Sequence, residues 1–344
     1  MATKALNKNL HKAHRAKNDE FYTLLNDVAN ELKHYRKELR GKVVLCNCDD
    51  PFESNFFKYF AANFNALGLK KLIATSYQGS SITGAQLSLF DIEGLKPECK
   101  EPYAVEINEV PDLDSDGAIS LDDVEHLLKH DKNVVTPLKD GDFRSDECVE
   151  LLRRADIVIT NPPFSLFREF VAQLVEHNKE FLIIGNKNSI TYKEIFKLIK
   201  ENKLRLGYGF ITGGAFFRIP DNKLHEFSSR VYDPDVGPVV STAARWFTTL
   251  PVDRQKEKLI LYKKYTPEEY PKYDNYDAIE VSKVSDIPVN YDGVMGVPIT
   301  FIDKYNPEQF EIVKFRKGDD NRDLVINGKP PYFRILIQPK PQIK

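Results

Sequence analysis

Charge of one sign, long apolar runs and patterned cysteine are all scarce in this sequence of 344 residues. Lysine and arginine number 49 against 51 aspartate and glutamate, a net charge of −2. That balance gives no global signal for a polyanion, so any contact with nucleic acid must come from local basic patches. No apolar run approaches the roughly 20 residues that span a bilayer, and the N-terminus has no apolar signal-peptide core. The four cysteines, Cys46, Cys48, Cys99 and Cys148, have neither zinc-ribbon spacing nor a disulfide framework. Reduced, mostly buried thiols are the expectation, in a soluble cytoplasmic protein with no assigned metal. Hydrophobic residues at 42% and charged residues at 29% are ordinary for a globular chain. The length suits one large α/β domain with an elaboration, or two domains.

What is present centres on Ala155-Asp-Ile-Val-Ile-Thr-Asn-Pro-Pro-Phe164. Ile157 to Thr160 read as a short strand buried on both faces, as in a parallel sheet. Asn161-Pro162-Pro163 ends it, because neither proline donates to a ladder and each restricts the residue before it. Ligands of open α/β sheets sit just outside the carboxyl ends of the strands. The Asn161 side-chain oxygen and the Pro162 carbonyl are two acceptors on a stiff backbone, suited to an exocyclic –NH2. Gripping both N–H groups favours the pyramidal nitrogen of a transition state, and Phe164 is placed to stack on a base flipped from a duplex. A plain strand-ending turn with Phe164 in the core fits the same tetrapeptide.

The chain order fills in the setting. Residues 1–17 form a basic arm with Lys4, Lys8, Lys12, Arg15 and Lys17 and no acid from Lys4 onward, suited to phosphates or to a solvated terminus. Val28, Leu32, Tyr35 and Leu39 keep helical spacing up to Gly41. A strand from Lys42 to Cys48, a helix through Phe56, Phe57, Phe60 and Phe64, and a strand from Lys71 to Tyr77 make a crossover unit. The pattern loosens over about 78–132. There Asp112, Asp114, Asp116, Gly117 and Ile119 match a calcium loop, but Asp123 stands where a bidentate Glu is usual. The favoured reading is an acidic turn in which Ser120 caps a helix Leu121–His130. A strand at Asn133–Pro137, a helix Asp146–Arg154, the central strand, a helix from Phe167 and a strand Phe181–Gly185 follow. The next helix is Lys193–Glu201. From Leu204 onward the chain reads β-rich, with short strands at Ala215–Ile219, Ala244–Leu250, Leu259–Tyr262 and Tyr332–Gln338. Basic clusters lie at Arg254–Lys258, Lys263-Lys264 and Lys314–Lys317.

Three strand-end segments thus fall on one sheet edge: Asp49-Asp-Pro-Phe52, Gly141-Asp-Phe143 and Asn161-Pro-Pro-Phe164. With Lys17-Asn-Asp-Glu-Phe-Tyr-Thr23, Ser54-Asn-Phe-Phe57, Phe181-Leu-Ile-Ile-Gly-Asn-Lys-Asn188 and Tyr291-Asp-Gly-Val-Met-Gly-Val-Pro298, the sequence resembles the EcoRI-type adenine-N6 DNA methyltransferases over nearly its whole length. These belong to the S-adenosylmethionine-dependent amino-methyltransferases.

The resemblance implies a doubly wound, Rossmann-like α/β fold with a β-rich C-terminal target-recognition region. It places the catalytic domain at 18–203, with an insertion at about 78–132, and the remaining sheet strands and recognition region at 204–344. It implies that Asn18, Glu20, Phe21, Tyr22 and Thr23 close over the methionine end of S-adenosyl-L-methionine. Asn47, Asp49, Asp50 and Pro51 would face that cofactor, with Asp49 or Asp50 near its ammonium, and Asp142 and Phe143 would meet its adenine. Asn161, Pro162, Pro163 and Phe164 would be the catalytic group. The loop after the first strand departs from the glycine-rich form of the wider class, and Tyr77-Gln78 stand where an acidic ribose ligand is usual. The partner implied is double-stranded DNA, for a monomeric restriction-modification enzyme. Asn-Pro-Pro-aromatic also serves methyltransferases of RNA guanine N2 and of a protein glutamine amide, and a catalytically silent DNA-binding protein is the alternative of another class.

Overall fold

A computed structural model of the chain describes residues 22–48, 50–51, 54–76, 102–111, 135–211, 214–218, 224, 230–234, 237–316, 324–329, 331, 333 and 334–341. The basic arm, the acidic loop from Asp112 to Asp123, the helix expected at Leu121–His130, and Tyr77-Gln78 lie outside these residues. The chain divides into two compact units that interleave in sequence: residues 1–187 with 207–250, and residues 188–206 with 251–344.

In the first unit, strands β1 (Tyr22–Thr23), β2 (Val43–Cys46), β3 (Lys71–Thr75), β4 (Tyr103–Ile107), β5 (Val135–Pro137), β6 (Ile157–Thr160) and β7 (Glu180–Asn186) come in order. They are followed by β8 (Ala215–Arg218), β9 (Arg230–Asp233), β10 (Gly237–Thr242) and β11 (Ala244–Thr248). The main helices are α1 (Leu25–Leu32), α2 (Asn55–Ala62), α3 (Asp146–Arg154) and α4 (Phe167–Glu176). Within this unit the large sheet runs β5-β4-β3-β2-β6-β7-β11.

Its centre, β3-β2-β6-β7, is parallel, and every residue of β2 and β6 is buried. This is the double burial that four-residue runs such as Val-Val-Leu-Cys and Ile-Val-Ile-Thr require. The flanks are antiparallel: β4 against β3, β5 against β4 and β11 against β7. The sheet is therefore mixed, with a parallel core. Strand β4 lies inside the stretch the sequence gives as an insertion, yet it hydrogen-bonds into the main sheet. Tyr103, Ala104, Val105 and Ile107 are buried, and only Glu106, which interrupts the apolar run, reaches partial solvent.

Helix ends follow their local chemistry. Ser54 Oγ accepts from Phe56 N and Phe57 N and caps α2, and Ser145 Oγ does the same for Cys148 N in α3. Asp146 and Glu147 open α3 and Arg153 and Arg154 close it, in the sense the helix dipole favours. Gly68 takes φ +63° after the one-turn helix Phe64–Leu67, a left-handed terminus that suits glycine. The helix expected from Val28 to Leu39 is broken by a 3-10 turn, Lys33–Tyr35.

The second unit holds helix α5 (Lys193–Lys200) and strands β12 (Ile279–Glu280), β13 (Met295–Pro298), β14 (Phe310–Arg316) and β15 (Arg334–Pro339). Their order is β12-β13-β15-β14. A buried group braces this sheet. Arg334 donates to both Glu280 oxygens (Nε to Oε1 2.9 Å and Oε2 3.1 Å, Nη2 to Oε1 2.5 Å), and the Tyr273 hydroxyl donates to Glu280 Oε2. Burial, and then the Glu280 carboxylate, push the Tyr273 hydroxyl pKa far up, so it remains a donor. Gly296 leaves room for that hydroxyl; a Cβ there would lie 2.1 Å from it. The expected strand Leu259–Tyr262 is not formed, since these residues join no ladder.

Candidate active site

The chain leaves β2 through α2 for β3 on one side, and leaves β6 through α4 for β7 on the other. The strand order therefore reverses between β2 and β6. Val44 pairs with Ile157 and Leu45 with Val158. Continuing that ladder brings Asn47 and Cys48 level with Thr160 and Asn161, at a strand separation of roughly 4.8 Å. A reversal point at the carboxyl edge is where open α/β sheets bind ligands.

Buried polar groups gather at this edge. Asn47 is buried just past β2, and its Nδ2 takes no acceptor among the described residues. The same holds for the hydroxyls of Thr23 on β1 and Thr75 at the end of β3. Asn161 has other interactions, but its Oδ1 is buried with no donor on it among the described residues. Buried polar atoms are normally satisfied, so a cluster of exceptions at one sheet edge is the mark of a ligand site.

Several contacts fix the surrounding loops. The Tyr103 hydroxyl on β4 donates to Asp50 Oδ1 and Oδ2 at 3.1 and 3.2 Å. Pro51 is buried, and Ser54 N donates to the Asp50 carbonyl at 2.8 Å, closing the turn into α2. Asn55 Nδ2 donates to the Thr23 carbonyl at 2.7 Å and ties α2 to β1. Gly141 has φ +72° and lies against Ser76 at the end of β3; a Cβ would meet the Ser76 carbonyl oxygen at 2.2 Å. The Asp142 carboxylate accepts from Arg144 Nε at 2.8 Å, Nη2 at 2.6 Å and backbone N at 2.9 Å. That hydrogen bonding raises the Arg144 guanidinium pKa still further. Phe143 is buried edge-on to Phe170 at 5.0 Å, and Gln173 Nε2 donates to its carbonyl at 2.9 Å.

In the tetrapeptide, Pro162 is buried while Asn161, Pro163 and Phe164 are half-buried. Leu166 N donates to the Pro163 carbonyl at 3.0 Å and turns the chain into α4. The Phe164 ring meets Phe217 of β8 edge-on at 6.4 Å. β8 is hydrogen-bonded to β1, with Tyr22 opposite Arg218 and Thr23 opposite Phe217. The aromatic N-terminal segment and the Asn161 turn are thereby joined through Phe217. Asn47, Asp50, Pro51, Thr23, Asp142, Phe143 and the tetrapeptide all lie in this unit. Asn18, Glu20, Phe21 and Asp49 lie outside the described residues, and Tyr22 is described by its backbone alone.

Sequence reading missed three residues here. Tyr103 and Arg144 gave no separate signal, since each acts by orienting a carboxylate named already. Glu31 did give one, as an acid inside the apolar stripe Val28, Leu32 and Tyr35. It is fully buried and accepts from the Tyr35 hydroxyl at 2.9 Å, Tyr208 N at 2.9 Å and Gly209 N at 2.6 Å. The next residue, Phe210, takes φ +61°, stacks on Trp246 at 5.8 Å and faces Phe217 at 6.2 Å.

A family model described as adenine-specific methyltransferase EcoRI matches residues 9–340. The chain is 50% identical over 348 residues to the type II methyltransferase M.EcoRI of Escherichia coli, covering 99% of each. It is 39% identical to M.MpnI of Mycoplasma pneumoniae, covering 97% of this chain and 98% of that one. With M.MgeORF184P of Mycoplasma genitalium the identity is 35%, over 95% and 98%. No solved structure gave a significant match.

Proposed function

The chain belongs to the EcoRI-type adenine-specific methyltransferase family, and on that premise we propose that it methylates N6 of an adenine at a specific site in double-stranded DNA, with S-adenosyl-L-methionine as donor. The observation that carries the cofactor assignment is the set of unsatisfied buried groups of Thr23, Asn47 and Thr75 at the edge where the strand order reverses. When bound, the cofactor supplies a sulfonium-activated methyl group. Asn47, with Asp50 oriented by Tyr103, suits its amino-acid end, and β1 is the described part of the segment that would cover it. Asp142, oriented by Arg144, is an acceptor for its adenine amine.

The residues of the tetrapeptide act on the target amine. Asn161 Oδ1 and the Pro162 carbonyl accept its two N–H groups, drawing the nitrogen lone pair out of conjugation as the new C–N bond forms. Phe164, braced by Phe217, stacks on the flipped base. No general base is needed in this scheme; the amine proton departs to solvent after transfer, and positioning supplies much of the rate.

Tritiated methyl transfer to duplex DNA, followed by digestion to nucleosides, tests the assignment. Label is expected in N6-methyladenine; label confined to RNA or protein would overturn it. Asn161→Ala should abolish transfer and leave cofactor binding by calorimetry near normal. Equal loss of both would show that the residue holds the cofactor instead.

A further inference from the structure

The second unit leaves a row of side chains that its own packing does not explain. From Lys258 to Lys264 exposure alternates residue by residue, the period of an extended chain, with Lys258, Ile260, Tyr262 and Lys264 outward. Ile260 is 89% and Tyr262 66% exposed. Among the described residues of this unit, the only other exposed large hydrophobic is Val289, at 55%. It lies beside the row: Val289 N donates to the Lys263 carbonyl at 2.9 Å, and Lys263 bridges Pro288. Val289 thus flanks the Lys264 end of the row.

The row is held in place. Gln309 grips Leu259 at both backbone groups, accepting from its N at 2.7 Å and donating to its carbonyl at 2.9 Å. Tyr265 N donates to Asn290 Oδ1 at 2.7 Å, with the Tyr265 ring 4.7 Å from Tyr291. This anchoring keeps the segment extended without a strand partner. Exposing Ile260 and Tyr262 on a fixed support costs solvation with no return within the unit, which marks an interaction surface.

The charge identifies the occupant. Residues 253–264 carry Arg254, Lys256, Lys258, Lys263 and Lys264 against Asp253 and Glu257, with Lys256 paired to Asp253 at 2.6 Å and Lys263 to Asp286 at 3.8 Å. Lys258 and Lys264, at the two ends of the outward row, are exposed and enter no ion pair among the described residues. Lysines flanking apolar and aromatic side chains on an extended support match a duplex, with phosphates outside and base edges or a base step within the groove.

We propose that Lys258–Lys264 is a DNA-contacting element of this enzyme, in which Lys258 and Lys264 neutralise phosphates while Ile260 and Tyr262 enter the groove. This rests on the methyltransferase reading above. The test is fluorescence-anisotropy titration of the full chain on a duplex of about 30 base pairs carrying the methylated site, as mapped with the wild type, across a salt series. Lys258→Gln with Lys264→Gln should make the slope of log affinity against log salt shallower by about 1.8, at about 0.9 per phosphate. Ile260→Ser with Tyr262→Ser should weaken binding about tenfold and leave that slope unchanged, since it removes groove contacts alone. Melting temperatures should not move, because the substituted side chains are exposed. Wild-type affinity and slope in both variants, with methyl transfer intact, would overturn this inference alone. Absence of transfer to duplex DNA by the wild type would overturn the reading beneath it. A concentration-dependent dimer that disappears in the Ile260/Tyr262 variant, with DNA affinity unchanged, would assign the row to a second copy of the chain and also overturn it.

Discussion

Two carboxylates at the sheet edge are held by neighbours before any ligand arrives. Asp50 is held by a hydroxyl from β4 and Asp142 by a guanidinium two residues away. Such second contacts set the direction of an acceptor, and a misdirected one loses most of its value to a ligand. The thiols at the same edge offer a direct probe. Cys46 and Cys148 are buried, and burial pushes the Cys148 pKa up to about 11, whereas Cys48, in the loop after β2, is half-buried. The thiolate is the reactive form. At pH 8 in a Cys99→Ser background, iodoacetamide should therefore label Cys48 alone, and S-adenosyl-L-methionine should slow that labelling if the loop faces the cofactor. Peptide mapping that finds Cys148 modified in the folded protein would contradict its burial.

At the level of elements, Glu31 on α1 controls the loop that carries Phe210 toward Phe217 and Phe164. A Cβ at Gly207 would sit 2.2 Å from Glu31 Oε1, so the carboxylate and the glycine are matched in shape. Glu31→Gln keeps the size but puts an –NH2 where backbone N–H groups converge, leaving a buried donor unmet at about 1–3 kcal/mol. The expected outcome is a lower melting temperature and red-shifted emission from Trp246, the only tryptophan, as Phe210 leaves its left-handed conformation. An unchanged spectrum would mean that Phe210 is held by other contacts. Legibility in the sequence follows the same division. Helix Asp146–Arg154 and strand Ile157–Thr160 have their boundaries written locally, in Ser145, Ala155 and Asn161-Pro162, and they stand where the sequence puts them. Strand β4 was not legible because its partners, β3 and β5, are distant in sequence, and β9 and β10, though a local hairpin from Asp233 to Gly237, have only partly apolar residues. In the site, the tetrapeptide and Asp142 were visible as strand-end punctuation. Tyr103 acts across elements and Arg144 on a carboxylate two residues away, and no spacing marks either; Glu31 was marked only as an acid inside an apolar stripe, with its partners Tyr208 and Gly209 far along the chain.

For the whole molecule, the interleaving of the two units has consequences for how the chain can be cut. Residues 1–203 lack β8 and β11, and with them Phe217, Trp246 and the five residue pairs that cover β7. That fragment should not fold. Residues 1–250 keep all of the first unit but strand α5, whose Ile195, Phe196 and Ile199 are buried in the second unit, with Phe196 5.0 Å from Phe315. This fragment should be prone to aggregate. The remedy follows from the positions of Lys187 and Gly207. Lys187 N donates to the Ala243 carbonyl and Gly207 N to the Trp246 carbonyl, so both ends lie along one short stretch of chain, three residues apart. Three residues along an extended strand and two strand spacings across it give a gap of roughly 14 Å. A linker of about six to eight glycine and serine residues spans that distance. Residues 1–250 with 188–206 replaced by such a linker should be monomeric and melt in one cooperative transition, with Trp246 emission like that of the full chain. This fragment should bind S-adenosyl-L-methionine, because every described residue assigned to the cofactor lies in the first unit, and it should lose site-specific affinity for duplex DNA, because the lysine-flanked row lies in the second. Cofactor binding lost together with DNA binding, in a fragment that still melts cooperatively, would show that the second unit also contributes to the cofactor site.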